Sequence, residues 1–181
     1  MISLNEIYSK YSYPEGHGDK GTAHTYIDEY ERLLSPYRNG ITFLEIGLSH
    51  GESIQMWSEF FNESKIYGID INDHHLKHLL DNKNFNIVIG DGTKSTILSK
   101  FPENLNFDVI IDDGSHKLND QINSFNLFKD RMNDGGIYII EDIENYDRVK
   151  DTLLSLHTNS EAIDNRRIKN RKDDVLIVYR F

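Results

Sequence analysis

The sequence predicts an α/β fold, a doubly wound and mostly parallel sheet that closes on a carboxyl-terminal antiparallel hairpin strand. Three features predict it. Short apolar runs rich in β-branched and aromatic residues alternate with stretches of helical periodicity, the central runs close on acidic residues, and the last run follows "RRIKNRKDD" with no room for a helix. The 181 residues are 38% hydrophobic and 11% aromatic, which suits one domain over 1–181, with an amino-terminal helical segment, 1–40, ahead of an α/β core, 41–181.

Ahead of the first strand, Tyr26, Tyr30 and Leu33 share one helical face. The strands follow as "ITFLEIG" (41–47), "KIYGIDI" (65–71), "FNIVIGD" (85–91), "FDVIIDD" (107–113) and "GIYIIED" (136–142). Between them Ile54, Trp57 and Phe61 recur at helical spacing, as do Leu118, Ile122, Phe125 and Phe128, and then Val149, Leu153 and Leu156. "DVLIVYRF" (174–181) comes straight after "RRIKNRKDD" and reads as the antiparallel hairpin strand. Right-handed βα crossovers place ligands beyond the carboxyl ends of the parallel strands, a Rossmann-like arrangement. Those ends carry Glu45 and Gly47, Asp70, Asp91, the pair Asp112 and Asp113, and the pair Glu141 and Asp142.

Twenty Lys and Arg against thirty Asp and Glu give a net charge of −10, which disfavours nucleic acid and anionic membrane surfaces as partners. The absence of cysteine removes disulfides, thiolate metal sites and cysteine nucleophiles. No apolar run reaches the length of a membrane span or a signal-peptide core, so the expected location is the cytoplasm.

In "LEIGLSHGES" (44–53), Glu45, Gly47 and Gly51 fall at a strand-to-helix turn, where backbone approaches a ligand closely and helix amides are free. Ser49 and Ser53 exclude the dinucleotide fingerprint. Asp70, about twenty residues on, can accept both hydroxyls of a ribose. Asp91 in "GDGT" can accept from an adenine amino group, or can serve an ordinary turn. At these residues the chain resembles the class I S-adenosylmethionine-dependent methyltransferases, with Ser49 in place of the middle glycine. The resemblance implies that Gly47 and Gly51 pass near the methionine part, that Asp70 holds the ribose and that Asp91 lies near the adenine.

Asp113, Glu141 and Asp142 project from two strand ends expected to be neighbours. Three carboxylates at one place repel one another unless a cation or basic side chains neutralise them. All-oxygen ligands favour Mg²⁺ or Mn²⁺, which would lower the pKa of a substrate hydroxyl. His116, three residues beyond Asp113, is the candidate base. With "GDKGTAHTYIDEYERLL" (18–34), "FLEIGLSHGESIQMW" (43–57), "IDDGSHKLNDQINSF" (111–125) and "GGIYIIEDIE" (135–144), the resemblance narrows to the macrocin O-methyltransferase type of sugar methyltransferase, including the mycinamicin enzymes. It implies Asp113, Glu141 and Asp142 as metal ligands, His116 as base, Asp112 facing the methionine part, and Lys20, Thr22 and His24 as cofactor contacts on a segment folded across it.

The expected acceptor is a small molecule or glycan with vicinal hydroxyls, in an open pocket that a second subunit of a homo-oligomer could close. The basic run Arg166, Arg167, Lys169, Arg171 and Lys172 reads either as a grip on a phosphate-bearing acceptor or as a solvated face. His50, His74, His75, His78 and His157 read as solvated. The alternatives are a metal-independent methyltransferase acting on a small molecule or protein, and a cofactor-binding module without turnover.

Overall fold

The computed structural model describes residues 2–11 and 18–181; of the segment expected ahead of the first strand, residues 1 and 12–17 lie outside the described residues. Five strands, β1 (Thr42–Ile46), β2 (Lys65–Asp70), β3 (Phe85–Ile89), β4 (Phe107–Asp112) and β5 (Met132–Ile140), pair in parallel. Two more, β6 (Ser160–Asp164) and β7 (Val175–Arg180), add antiparallel pairings, and the sheet order is β3-β2-β1-β4-β5-β7-β6. Strand β7 inserts between β5 and β6 because "VLIVY" is buried throughout, whereas "SEAID" is half-exposed and suits an edge.

The pleat sends alternate side chains to opposite faces. Phe43, Val109, Ile111 and Ile139 pack on one face with helices α1 (Leu4–Tyr11), α2 (Tyr26–Leu34) and α3 (Glu52–Phe60). Leu44, Ile110, Tyr138 and Ile140 pack on the other, with Phe125 and Phe128 of α5 (Leu118–Phe128) and Leu153 of α6 (Tyr146–Leu154). The short α4 (Lys77–Leu80) follows β2 and packs its Leu79 on the first face. Among the described residues no helix is long and apolar enough to cross a membrane.

One expectation needs correction. The segment before β7, read as too short for a helix, forms a single turn, α7 (Arg166–Lys169), ended by Asn170 at φ +56°. The turn is anchored rather than self-sustaining, since the Arg166 guanidinium donates to both Asp147 and Asp164.

At the carboxyl edge each parallel strand runs one hydrogen bond past its end. The amides of Gly47, Gly90, Asp113 and Glu141 donate to the carbonyls of Ile69, Asp70, Ile46 and Asp112 at 2.7–2.9 Å. This ladder fixes the acids and the first turn relative to one another. Gly47 has φ +88°, and a Cβ there would lie 2.0 Å from the Asp113 carbonyl oxygen. Gly47→Ala is therefore expected to destabilise the fold by at least ~2 kcal/mol, read as a lowered urea midpoint, because backbone rather than a side chain must yield.

Candidate functional site

The carboxyl ends of β1 to β4 open on a cavity of about 770 Å³, at the place where strand order reverses between β1 and β4. Lys20, Gly47, Ser49, Asp70, Asp91 and Asp112 line it, with Asp113, His116 and Asp142 at one end. The remaining expected residues are not among its lining: His24, Glu45, Gly51 and Glu141 are buried and Thr22 is exposed. Gly51 answers a packing need: a Cβ on it would lie 2.3 Å from Leu79 of α4. Thr22 bonds within its own segment, to the Gly18 carbonyl.

Two wall acids also brace loops at the cavity. Asp70 accepts from the amides of Leu48 and Ser49 at 2.9 and 3.1 Å, so it sets the turn after β1 while facing the cavity. Asp91 accepts from the hydroxyl and amide of Thr93, and that hydroxyl bond holds its pKa below the usual carboxylate value. Asp112 is pushed up to about 7 by burial, against the opposing bond from the Gly114 amide. Of the solvated histidines, His74, His75 and His78 are exposed; His50 stacks on His75 and reaches the cavity rim.

The expected acidic cluster forms around a lysine. The buried Lys20 ammonium lies 2.6 Å from Glu141 Oε1, 2.7 Å from Asp113 Oδ2 and 3.8 Å from Glu45 Oε1. Burial alone would lower its pKa, but Asp113, Glu141 and Glu45 outweigh that and hold it charged. Glu141 is turned onto Lys20, away from the cavity. Among the described residues two groups bring their ligand atoms within 4.8 Å of one another, Asp113, His116 and Asp142 at the cavity and His24, Asp142 and Asp173 beside it.

Asp142 is held from behind. Its Oδ1 accepts from the Tyr26 hydroxyl at 2.7 Å and lies 3.2 Å from His24 Nδ1, while Oδ2 lies 3.9 Å from His116 Nδ1. Burial, then Asp113, raises the Asp142 pKa. His24 is buried between Asp142 and Asp174, and Asp174 accepts from the Thr25 amide and hydroxyl. Ser49, His116 and Asp142 all adopt φ between +50° and +59°, so three non-glycine residues at the cavity carry left-handed backbone, a strain that concentrates at functional sites.

Sequence reasoning placed Tyr26 on a helical face with Tyr30 and Leu33, gave it no part in the site, and missed Asp174. A signal for Asp174 existed: an antiparallel strand begins at the edge where its parallel neighbour ends, so "DD" before β7 lies beside "ED" after β5.

Glu45 gives the site a pH signature. Burial pushes it up to about 7, against Lys20, which lowers it. The folded state thus keeps a proton that the unfolded chain sheds above about 4.5, and stability falls as pH rises from there to about 7. Glu45→Gln, neutral throughout, is expected to flatten that slope and to be more stable than wild type near pH 8 by roughly 1–3 kcal/mol, measured by urea unfolding in excess chelator.

A family model described as a methyltransferase domain matches residues 44–143. Demethylmacrocin O-methyltransferase of Streptomyces fradiae is 34% identical over 149 residues, 77% of this chain and 36% of that protein. Mycinamicin VI 2''-O-methyltransferase of Micromonospora griseorubida is 33% identical over 149 residues, again 77% and 36%. The chain thus spans little more than a third of the length of these relatives. The crystal structure of MycE methyltransferase from the mycinamycin biosynthetic pathway, in complex with Mg and SAH, superimposes with a TM-score of 0.76 at 25% identity, covering 99% of this chain and 55% of that one. With the matched segment running from the glycine turn after β1 through the acids after β5, the chain belongs to the methyltransferase domain family.

Proposed function

We propose that the protein transfers a methyl group from S-adenosylmethionine to a hydroxyl of a sugar-bearing acceptor, with a divalent cation held by Asp113 and Asp142 and with Glu141 behind them. The observation that carries this reading is the group Asp113, His116 and Asp142 at the end of a glycine-turn cavity. The donor set fits a hard cation. Glu45, Asp113 and Glu141 surround one ammonium, Asp142 lies within 4.8 Å of Asp113, and the excess negative charge suits Mg²⁺ or Mn²⁺ ligated by oxygen. Support for the acceptor class comes from the O-methyltransferase relatives, to which 8-demethyl-8-α-L-rhamnosyl tetracenomycin-C 2'-O-methyltransferase of Streptomyces olivaceus adds a named rhamnosyl acceptor at 32% identity over 71% of this chain and 36% of that protein, and from the MycE complex with mycinamycin VI.

When bound, such a cation would polarise an acceptor hydroxyl and lower its pKa. The remaining work falls to side chains. Gly47 lets backbone approach the methyl donor, and Asp70 offers its carboxylate to the ribose. Among the described residues His116 Nδ1 is buried without a hydrogen-bond partner, and it faces Asp142 Oδ2, so a small approach would make Nδ1–H donate to Asp142 and leave Nε2 to take the hydroxyl proton. The deprotonated oxygen then attacks the methyl carbon in line, with the electron pair leaving on sulfur.

Lys20 favours a second reading. An ammonium already bonded to Asp113 and Glu141 could serve as the only counter-charge, and the enzyme would then act without metal. Titrating Mn²⁺ in the presence of S-adenosylhomocysteine, with free Mn²⁺ followed by EPR, separates the two. Stoichiometric binding by wild type is expected, lost in Asp142→Ala while S-adenosylhomocysteine affinity changes by no more than about threefold. Binding of S-adenosylhomocysteine without any Mn²⁺ uptake would select the metal-independent enzyme.

A further inference from the structure

The basic run before β7 is largely spoken for inside the molecule. Arg166 is taken by Asp147 and Asp164, and Arg171 by Asp173. Lys169 has the most specific engagement: its ammonium donates to the carbonyls of Gly21, Thr22 and His24 at 2.9, 2.7 and 2.8 Å. An ammonium has three N–H donors, and here each meets one carbonyl of a single loop. That loop belongs to the strap, residues 18–25, whose first residues line the cavity and which carries Lys20 into the carboxylates.

Beside Lys169, the strap is held to the core by Lys20 among Glu45, Asp113 and Glu141 and by His24 between Asp142 and Asp174. Its internal bonds run from the amides of Thr22, Ala23 and His24 to the Asp19 carbonyl, and Asp174 takes the Thr25 amide. On its far side the Tyr8 hydroxyl donates to the Gly18 carbonyl. Lys169 and Asp174 flank the same connection, which Arg166 fixes to α6 and β6, so the carboxyl-terminal hairpin offers an anchored surface to a loop almost 150 residues earlier.

We propose that Lys169 is a positioning residue, a clasp by which the hairpin holds the strap as a wall of the cofactor cavity and keeps Lys20 among Glu45, Asp113 and Glu141. It touches neither cavity nor reacting atoms and acts only through the strap. Without its ammonium the strap spends part of its time undocked, and apparent cofactor affinity falls by the fraction docked. The use of the cavity for a methyl donor rests on the proposed function; the clasp itself does not.

The absence of cysteine allows a selective test. Lys169→Cys is made in the full chain, then alkylated either with 2-bromoethylamine, which rebuilds an ammonium at nearly the length of lysine, or with iodoacetamide, which adds a neutral group. Hydrogen exchange of 18–25 and S-adenosylhomocysteine affinity are measured for each. The cysteine form is expected to exchange faster in 18–25 with the sheet unchanged, and to bind about tenfold more weakly. Aminoethylation restores both and carbamidomethylation neither, a pattern that loss of packing alone would not give. Equal exchange in all forms, rescue by the neutral group, or a loosened strap with unchanged affinity overturns the clasp. Should wild type bind no S-adenosylhomocysteine while strap exchange still follows the ammonium, the clasp stands and the methyl-donor reading fails.

Discussion

One buried ammonium lets four carboxylates share the carboxyl edge of this sheet. Parallel strands end side by side, so acids placed at strand ends are delivered to one locus whatever their separation in sequence. Glu45, Asp113, Glu141 and Asp142 meet there, and burial raises the pKa of Glu45, Glu141 and Asp142. Lys20 offsets the repulsion for the first three, and Tyr26 with His24 supports the fourth. A buried charge cluster of this kind adds little to stability in itself, but removing its central cation would leave uncompensated charge in a dry site. The amino-terminal strap is therefore part of the site rather than a cover over it.

The arrangement divides the acids by depth. Glu45 and Glu141 lie behind, turned onto Lys20 and, for Glu45, also accepting from the Trp57 indole N–H at 3.2 Å. Asp113 and Asp142 remain at the cavity with His116. Glu141 and Asp113 hold the ammonium at 2.6 and 2.7 Å with Glu45 at 3.8 Å, which leaves Asp142 as the acid of the four that faces the cavity without a bond to Lys20 among the described residues. Left-handed backbone at His116 and Asp142 turns both side chains out of the paths that strand and helix would impose, and the rigid sheet beneath sustains the strain.

The hairpin closes this arrangement from the other end of the chain. An antiparallel β7 starts at the edge where β5 stops, which brings Asp174 to His24 and sets Lys169 over the strap. Basic residues that by composition resemble a solvated or phosphate-seeking run are thereby consumed in local ion pairs and carbonyl contacts, Arg166 and Lys169 above all.

The five parallel strands, β7 and the acidic strand ends were legible in the sequence, though the half-exposed edge strand β6 was not, because two-sided burial forces continuous apolar runs such as "FDVII" and "GIYII", and parallel topology makes the residue after each run a site residue. The same pattern singled out Asp70, Asp113, His116 and Asp142, which do line the cavity. What periodicity does not encode is which way a strand-end side chain turns, or what a distant loop brings to it. Glu141 and Asp142 are adjacent in sequence, yet one faces a lysine 121 residues away and the other the cavity. The need for a counter-charge followed from Coulomb repulsion among neighbouring acids; that Lys20 supplies it, and that Lys169 holds Lys20's segment in place, depended on contacts between chain ends that only the folded sheet brings together.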